Sequence, residues 1–413
     1  MTDGSFIKSM STLVTGSLAA QILSIVVSPI TTRLFSPMEL GVFTLVASST
    51  SMFGAVLSLR YDMAVVYEDS DENVYALVAL SFYICLISSF LVAVGYFFYF
   101  QYFSPSGFSA PLAALFTFVQ CLLFGSINVL NSYNNRCREY GVMSISNVAR
   151  SFAQNGGTVI AGIAHLGSLG LLAAQTFGYL FGLKKQSKTL LGQLDRIRKL
   201  SRDQIKSVAR KHRGQAVWSA PAAFANGFSY TVINFIIELL YSSSTVGLYS
   251  LSFRMLGMPT NVIAMNVSRV FAERAAFEKR EVGNFARLFR KTLFLMCLAS
   301  IPVLVVLVLF APGLFAFVFG DEWRDAGVYV QILSPMFALR FIAAGLNSSA
   351  MIAGKQQRDL LIQLMLIVVV LISFCVSVVF GLSIEGLLIS INALSSIAYI
   401  IYLFVFWECS KCR

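Results

Sequence analysis

Apolar runs long enough to cross a bilayer recur from end to end of the 413-residue chain. A run of about 20 such residues spans the hydrocarbon core as an α-helix. About twelve spans can be placed, at 10–34, 40–66, 74–100, 109–134, 143–164, 168–183, 214–240, 246–268, 288–311, 326–352, 359–380 and 384–408. Only 12% of the residues are charged, and the mean hydropathy is +0.75. A soluble domain carries about 25% charged residues, so a soluble fold is excluded. The expected class is an all-α polytopic membrane protein.

Charge sets the orientation. With the N-terminus inside, the cytoplasmic segments hold 25 of the 31 Lys and Arg residues. The six left over are Arg33, Arg60, Arg150, Arg254, Arg324 and Arg340, and only Arg324 lies plainly in an outer loop. The positive-inside rule then places both termini in the cytoplasm. The acidic second loop (Glu68, Asp69, Asp71, Glu72) does not oppose this, because carboxylates count little in that rule. The same rule explains the net charge of +11, so no nucleic-acid partner is expected. Residues 1–9 carry Lys8 as their one basic residue and the first apolar run is long, so no cleavable signal is expected.

Thr31–Val66 is the stretch with the sharpest local signals. Ser36, Pro37 and Glu39 form a capping box with proline at the first helical position. The chain therefore leaves one span and re-enters another within a few residues. The second span carries Arg60 and Asp62. On a continuous helix these two lie about 200° apart. Asp62 then continues the small polar face of Thr44, Ser48, Ser51, Ala55 and Ser58, while Arg60 points away with Ser49, Phe53 and Val56. Arg60 is taken for substrate and Asp62 for packing or an ion pair.

The longest loop, 184–213, is basic and divides six spans from six. Leu190, Leu194, Ile197 and Leu200 have helical spacing, which predicts an amphipathic helix on the anionic inner leaflet. Ser201 and Gln204 can cap a second helix. The expected organisation is an N-terminal six-helix lobe at 1–183, a cytoplasmic linker at 184–213 and a C-terminal six-helix lobe at 214–413. The lobes read as parallel repeats. Leu34-Phe35-Ser36 to Leu45 aligns on Leu240-Tyr241-Ser242 to Leu251, an offset of 206. Leu130-Asn131-Ser132 aligns on Leu346-Asn347-Ser348. Repeats of this kind place a site between them.

Charged residues inside spans cost about 2.5–3.5 kcal/mol each on insertion scales and usually face a cavity or a partner. Arg60, Arg150, Arg254 and Arg340 are the candidates for substrate binding, with Asn226, Asn261 and Asn347 beside them. Arg254 has Gly257, Met258, Asn261 and Ser268 along its face, and Pro259 is a kink site. Asn226, Tyr230, Asn234 and Glu238 form a stripe in the seventh span. The competing readings are snorkelling for Arg33, Arg60 and Arg150, and structural ion pairs for Arg254 and Arg340. A cavity lined by arginine suits an anionic ligand, because the guanidinium fork matches phosphate oxygens. A membrane cavity that accepts a diphosphate and a polar headgroup points to a lipid-linked substrate.

Several chemistries are not expected. The seven cysteines are scattered, and the terminal Cys409/Cys412 pair has no second pair nearby, so no metal site is expected. No P-loop, serine triad motif or HExxH occurs. No catalytic residue and no cofactor are expected. Coupling to an H+ or Na+ gradient is the candidate energy source, with Asp62, Glu238 and Glu385 as candidate ion sites. His165 reads as a surface residue.

The segments TRLFSPMELGVFTL and LRYDMAVV, NSYNNRCREYGVMSISNVARSFAQNGG with GLLAAQTFGYLFG, VGLYSLSFRMLGMPTNVI, and VFGDEWRDAGVYVQILSPMFALRFI occur in that order. Together they resemble the polysaccharide flippases (Wzx-type O-antigen and capsule repeat-unit transporters) of the multidrug/oligosaccharidyl-lipid/polysaccharide exporter superfamily. Asp62 stands where that family usually has Glu. The resemblance implies twelve helices in two lobes around a central cavity. It also implies alternating-access transport of undecaprenyl-diphosphate-linked oligosaccharide across the bacterial inner membrane. By position, Arg60 and Arg254 are its nearest matches to substrate-contacting arginines, followed by Arg340 and Arg150. Expected partners are the lipid-linked glycan, membrane lipids and, as a further candidate, the polysaccharide polymerase or assembly complex. The alternatives are a multidrug cation exporter of the same superfamily, which would want more buried carboxylates, and a polytopic polysaccharide-synthesis enzyme, which the short outer loops disfavour.

Overall fold

A computed structural model describes residues 3–104, 106–353 and 355–411, with the side chains of 3–18, 259, 261–262, 351, 356–360 and 362–363 outside the description. Every predicted span is helical over most of its described residues, with turns at 54–60 and 346–348. The helices of the first unit are α1 (Asp3–Leu34), α2 (Pro37–Phe53), α3 (Tyr61–Tyr67), α4 (Asp71–Tyr102), α5 (Ala110–Arg136), α6 (Tyr140–Ile163), α7 (Gly167–Leu180), α8 (Leu183–Leu191), α9 (Leu194–Arg198), α10 (Arg202–Lys211) and α11 (Ala220–Leu240). There follow α12 (Ser243–Pro259), α13 (Met265–Val282), α14 (Ala286–Phe319), α15 (Arg324–Gly345), α16 (Ser349–Ile352), α17 (Gln356–Phe380) and α18 (Ile384–Lys411). Short π-helical segments precede α11 (Gln215–Ser219) and follow α12 (Thr260–Ala264). By length and composition, six helices can cross a membrane among the described residues, with two shorter apolar helices at Ala19–Leu34 and Leu364–Phe380. The protein is a multi-pass helical membrane protein.

Compactness divides the chain into residues 1–247 and 248–413, whereas the sequence starts its second lobe at 214. The difference has a physical cause at α11, which packs on α2. A Cβ on Gly227 would lie 2.7 Å from the carbonyl oxygen of Met52, and Asn234 Nδ2 donates to Ser48 Oγ at 3.1 Å. The small face of α2 is therefore a helix-packing surface, as close small-residue contacts in membranes generally are.

In the first unit, α1 packs on α6, α6 on α7, and α4 on α5. The α1–α2 turn forms as its sequence dictates. Ser36 N–H donates to Glu39 Oε2 at 2.8 Å, and the Glu39 N–H donates back to Ser36 Oγ at 3.4 Å. The same box opens α10, with Ser201 N–H to Gln204 Oε1 at 2.8 Å and Gln204 N–H to Ser201 Oγ at 3.1 Å. The turn and the start of α12 meet closely. A Cβ on Gly41 would fall 1.7 Å from the Ser243 carbonyl oxygen, and one on Gly247 would fall 1.9 Å from that of Pro37. Gly41 and Gly247, like Pro37 and Ser243, are related by the 206-residue offset of the repeat.

The linker departs from the expected leaflet-bound helix. It breaks at Gly192 into α8 and α9. Its apolar positions turn onto protein: Leu190 and Val208 are buried in one cluster with Val65, Val74 and Leu77, and Ile197 and Leu200 pack against it. Leu194 stays exposed. Buried Glu68 fixes the linker's far end. It accepts from Lys211 Nζ at 2.7 and 2.8 Å and lies 2.6 Å from His212 Nε2. Burial, the largest single influence, pushes this carboxyl upward, but Lys211, Asn73, His212 and the backbone of Ser70 outweigh it and bring it from 4.5 down to about 2. A carboxyl depressed in the folded state stabilises above its unfolded value, and that contribution is lost as pH falls from about 4.5 through about 2. Docking of α10 should therefore hold at neutral pH and weaken only in that acid window. Glu68→Gln should loosen it at all pH values, read as faster proteolysis within 199–213.

In the second unit, α14 packs on α15, and α15 and α17 on α18. Its core gathers Phe271, Phe285, Phe289, Phe341 and Phe406. Phe271 meets Phe285 and Phe289 edge-on at centroid separations of 6.1 and 6.4 Å, the geometry aromatic quadrupoles favour.

Candidate substrate site

The second span is not one helix. It stops at Phe53, turns through 54–60 and resumes at Tyr61. Leu59 (φ 49°) and Arg60 (φ 65°) are both left-handed without being glycine, which costs about 1–3 kcal/mol each and persists only where surroundings enforce it. The surroundings are visible. Asn128 Nδ2 donates to the freed Gly54 carbonyl at 3.1 Å. The ring of Phe124 would lie 2.5 Å from a Cβ on Gly54, so only glycine lets α5 approach there. Non-helical backbone at membrane depth is tolerated where protein or a cavity surrounds it.

The break corrects the helical-wheel separation of Arg60 and Asp62, which assumed a continuous helix. Arg60 is half-buried, and its Nε donates to Ser219 Oγ at 3.3 Å in the π segment before α11. Asp62 is buried, accepting from Ser58 Oγ at 2.5 Å and Ser132 Oγ at 3.4 Å. Its partners are hydroxyls, not a cation.

Arg150 is tied into its own unit. Nη1 donates to Asn147 Oδ1 at 3.1 Å and Nη2 to Gln186 Oε1 at 3.2 Å. Gln186 is fully buried and donates to Asn131 Oδ1 at 2.8 Å. This chain of hydrogen bonds links α6 and α5 to α8, partners that the sequence did not indicate. Arg33 is exposed in the last turn of α1.

The stripe on α11 does not share one environment. Asn226 and Tyr230 are exposed, Asn234 is half-buried against α2, and Glu238 is fully buried. Each four-residue step overshoots a turn by about 40°, so the stripe winds from open surface into the unit. Glu238 Oε1 accepts from Ser104 Oγ at 2.5 Å and Ser243 Oγ at 3.3 Å, while Oε2 is buried without a partner.

In the second unit, Arg254 on α12 is exposed. The expected face from Arg254 to Ser268 is interrupted, because the π segment Thr260–Ala264 inserts after Pro259 and shifts the register. Ser268 turns to Asn347, donating to its Oδ1 at 2.6 Å. Asn347 is exposed just past α15. The Asn261 side chain lies outside the described residues. The Arg340 guanidinium lies 5.3 Å from the ring centroids of both Phe253 and Phe337, a cation–π arrangement that stabilises a charge in apolar surroundings. Phe337 sits three residues before Arg340 on one helix, so this neighbour was readable from spacing. Glu385 is exposed in the first turn of α18. Among the described residues, no group of three or more His, Cys, Asp or Glu could hold a metal ion. Cys409 is buried, and Cys412 lies outside the described residues.

The first unit thus offers a guanidinium at the left-handed turn of Arg60 and two buried carboxylates, Asp62 and Glu238; the second unit, taken by itself, offers an exposed guanidinium at Arg254. Known structures share the fold. The "Lipid II flippase MurJ, inward closed conformation" superposes with a TM-score of 0.71 at 12% identity, covering 97% of this chain and 87% of that one. An inward-facing multidrug resistance MATE family transporter of the MOP superfamily gives 0.62 at 15% identity, covering 96% and 93%. A MOP superfamily transporter from Pyrococcus furiosus, described as having a binding pocket of reverse polarity, gives 0.53 at 16%, covering 98% and 94%. No curated protein matches the chain significantly. The family described as "Polysaccharide biosynthesis protein" matches residues 30–328. With most of its length so matched, and with the fold of the MOP transporters, the chain belongs to this polysaccharide biosynthesis protein family.

Proposed function

We propose that the protein flips an undecaprenyl-diphosphate-linked oligosaccharide, an O-antigen, capsular or exopolysaccharide repeat unit, from the cytoplasmic to the outer leaflet of the bacterial inner membrane by alternating access. The observation that carries this reading is the coincidence of a polysaccharide biosynthesis family match with the fold of a lipid II flippase. Arg60 and Arg254 are assigned to the diphosphate, with Arg340 and the exposed amides Asn226 and Asn347 for the polar headgroup. Arg150 is assigned to positioning. The distribution of Lys and Arg supports an orientation with both termini in the cytoplasm.

Ion coupling falls to Asp62 or Glu238. Both are buried, and among the described residues neither forms an ion pair. A buried carboxylate without a cation is costly, so a proton or a monovalent cation is the natural neutraliser. Glu385, exposed at a helix start, has no such need. The test is deletion of the gene followed by mass spectrometry of lipid-linked glycans. A flippase deletion should accumulate complete undecaprenyl-linked repeat units on the inner leaflet. Truncated or unpolymerised glycan would instead indicate an enzyme of assembly.

A further inference from the structure

The second unit holds an open-sided groove between α13 and α14 that the headgroup site leaves unused. Its wide part, about 560 Å³, runs past Arg274 and Lys291. Its narrow part, about 120 Å³, continues between α12, α14 and α15 to Leu307 and Ser334. The two parts adjoin, with Ile263, Ala299 and Phe341 lining both. Ile263 comes from the π segment, whose irregular backbone sets it at the junction.

The groove has a floor and a rim. Phe271, Met296 and Phe341 are buried beneath it, whereas Ile263, Val270, Leu295 and Val303 on its edges are about half exposed. The α14 window is apolar and only 11% buried within the protein, so most of this helix is left uncovered by its neighbours. The narrow part is almost wholly apolar. From Lys291 to Leu307 the groove follows α14 for about 24 Å, most of the roughly 30 Å hydrocarbon thickness. Its mouth is cationic. Arg274 and Lys291 are exposed and form no ion pair among the described residues. A wide basic mouth that opens onto a long apolar slot fits a phosphate carrying a long hydrocarbon chain.

We infer that this groove holds the polyprenyl chain of the diphosphate carrier, with the phosphate end drawn to Arg274 and Lys291. The inference rests on the flippase reading and adds a docking place for the lipid part of the substrate. Binding is measured on the detergent-solubilised full-length protein by native mass spectrometry, with undecaprenyl diphosphate, farnesyl diphosphate and phosphatidylglycerol as probes. Wild type should hold the long-chain diphosphate at least about tenfold more tightly than the short one, because the added chain buries apolar area. Ala299→Trp, and separately Val303→Trp, fill the slot from exposed positions and should erase that preference. Arg274→Ala with Lys291→Ala should weaken both diphosphates together. A chain-length preference that survives in both tryptophan variants overturns the groove and leaves the flippase reading standing. Equal displacement by phosphatidylglycerol also overturns it, identifying a resident phospholipid site. Failure of wild type to bind undecaprenyl diphosphate at all overturns both readings.

Discussion

Arg254→Ala is expected to abolish surface glycan while leaving normal amounts of protein in the membrane. Arg254 is an exposed charge on an apolar helix, and among the described residues it forms no ion pair. Its loss therefore costs little stability. It does cost substrate contact, since a hydrogen bond to a charged group contributes about 1.5–3 kcal/mol, roughly a 10- to 100-fold loss in binding. Arg150→Ala should behave differently. It breaks the link through Gln186 to Asn131, so its main effect is on folding and abundance. Comparing membrane levels and surface glycan for the two variants separates a substrate contact from a staple. Wild-type export by Arg254→Ala would remove that residue from the site.

The second large effect is expected at Gly41 and Gly247. Each lies against the other repeat's backbone carbonyl, and a single added methyl would sit 1.7 or 1.9 Å from it. Backbone cannot rotate away as a flexible side chain can, so the helix ends must separate. Overpacking costs about 1–3 kcal/mol, and these contacts belong at the upper end. Gly41→Ala and Gly247→Ala should each lower the melting temperature of the purified protein clearly. Gly95→Ala, where nothing lies within 4 Å, should match or slightly exceed wild type, because alanine is the better helix former. Equal melting of Gly41→Ala and Gly95→Ala would contradict the close approach.

What could be read from the sequence was local or compositional. The Ser36–Pro37–Glu39 cap depends on four adjacent residues, and the structure forms it as written. The spans follow from apolar length alone. What escaped depended on neighbours distant in sequence. Nothing local marks the break at 54–60 beyond Gly54, because Asn128 and Phe124 on another helix enforce it. The apolar face of the linker was readable, but its burial partner, the α3–α4 region, was not. Arg60 and Asp62 were found by their cost in lipid, while Ser219, Ser58 and Ser132, their partners, are common helix residues with no distinguishing pattern. The π segment after Pro259 turned a proline signal into a shift of register, which a wheel drawn at a constant 100° cannot show.

Movement of a lipid-linked glycan is measured directly by reconstitution. Purified protein in vesicles would be given an undecaprenyl-diphosphate oligosaccharide confined to the inner leaflet, and a membrane-impermeant glycosidase added outside would report arrival of the headgroup. Cleavage should rise with time in vesicles carrying the wild-type protein and stay at the protein-free level with Arg254→Ala. Headgroups that remain protected in wild-type vesicles, with a proton or sodium gradient imposed in either direction, would contradict the flippase reading.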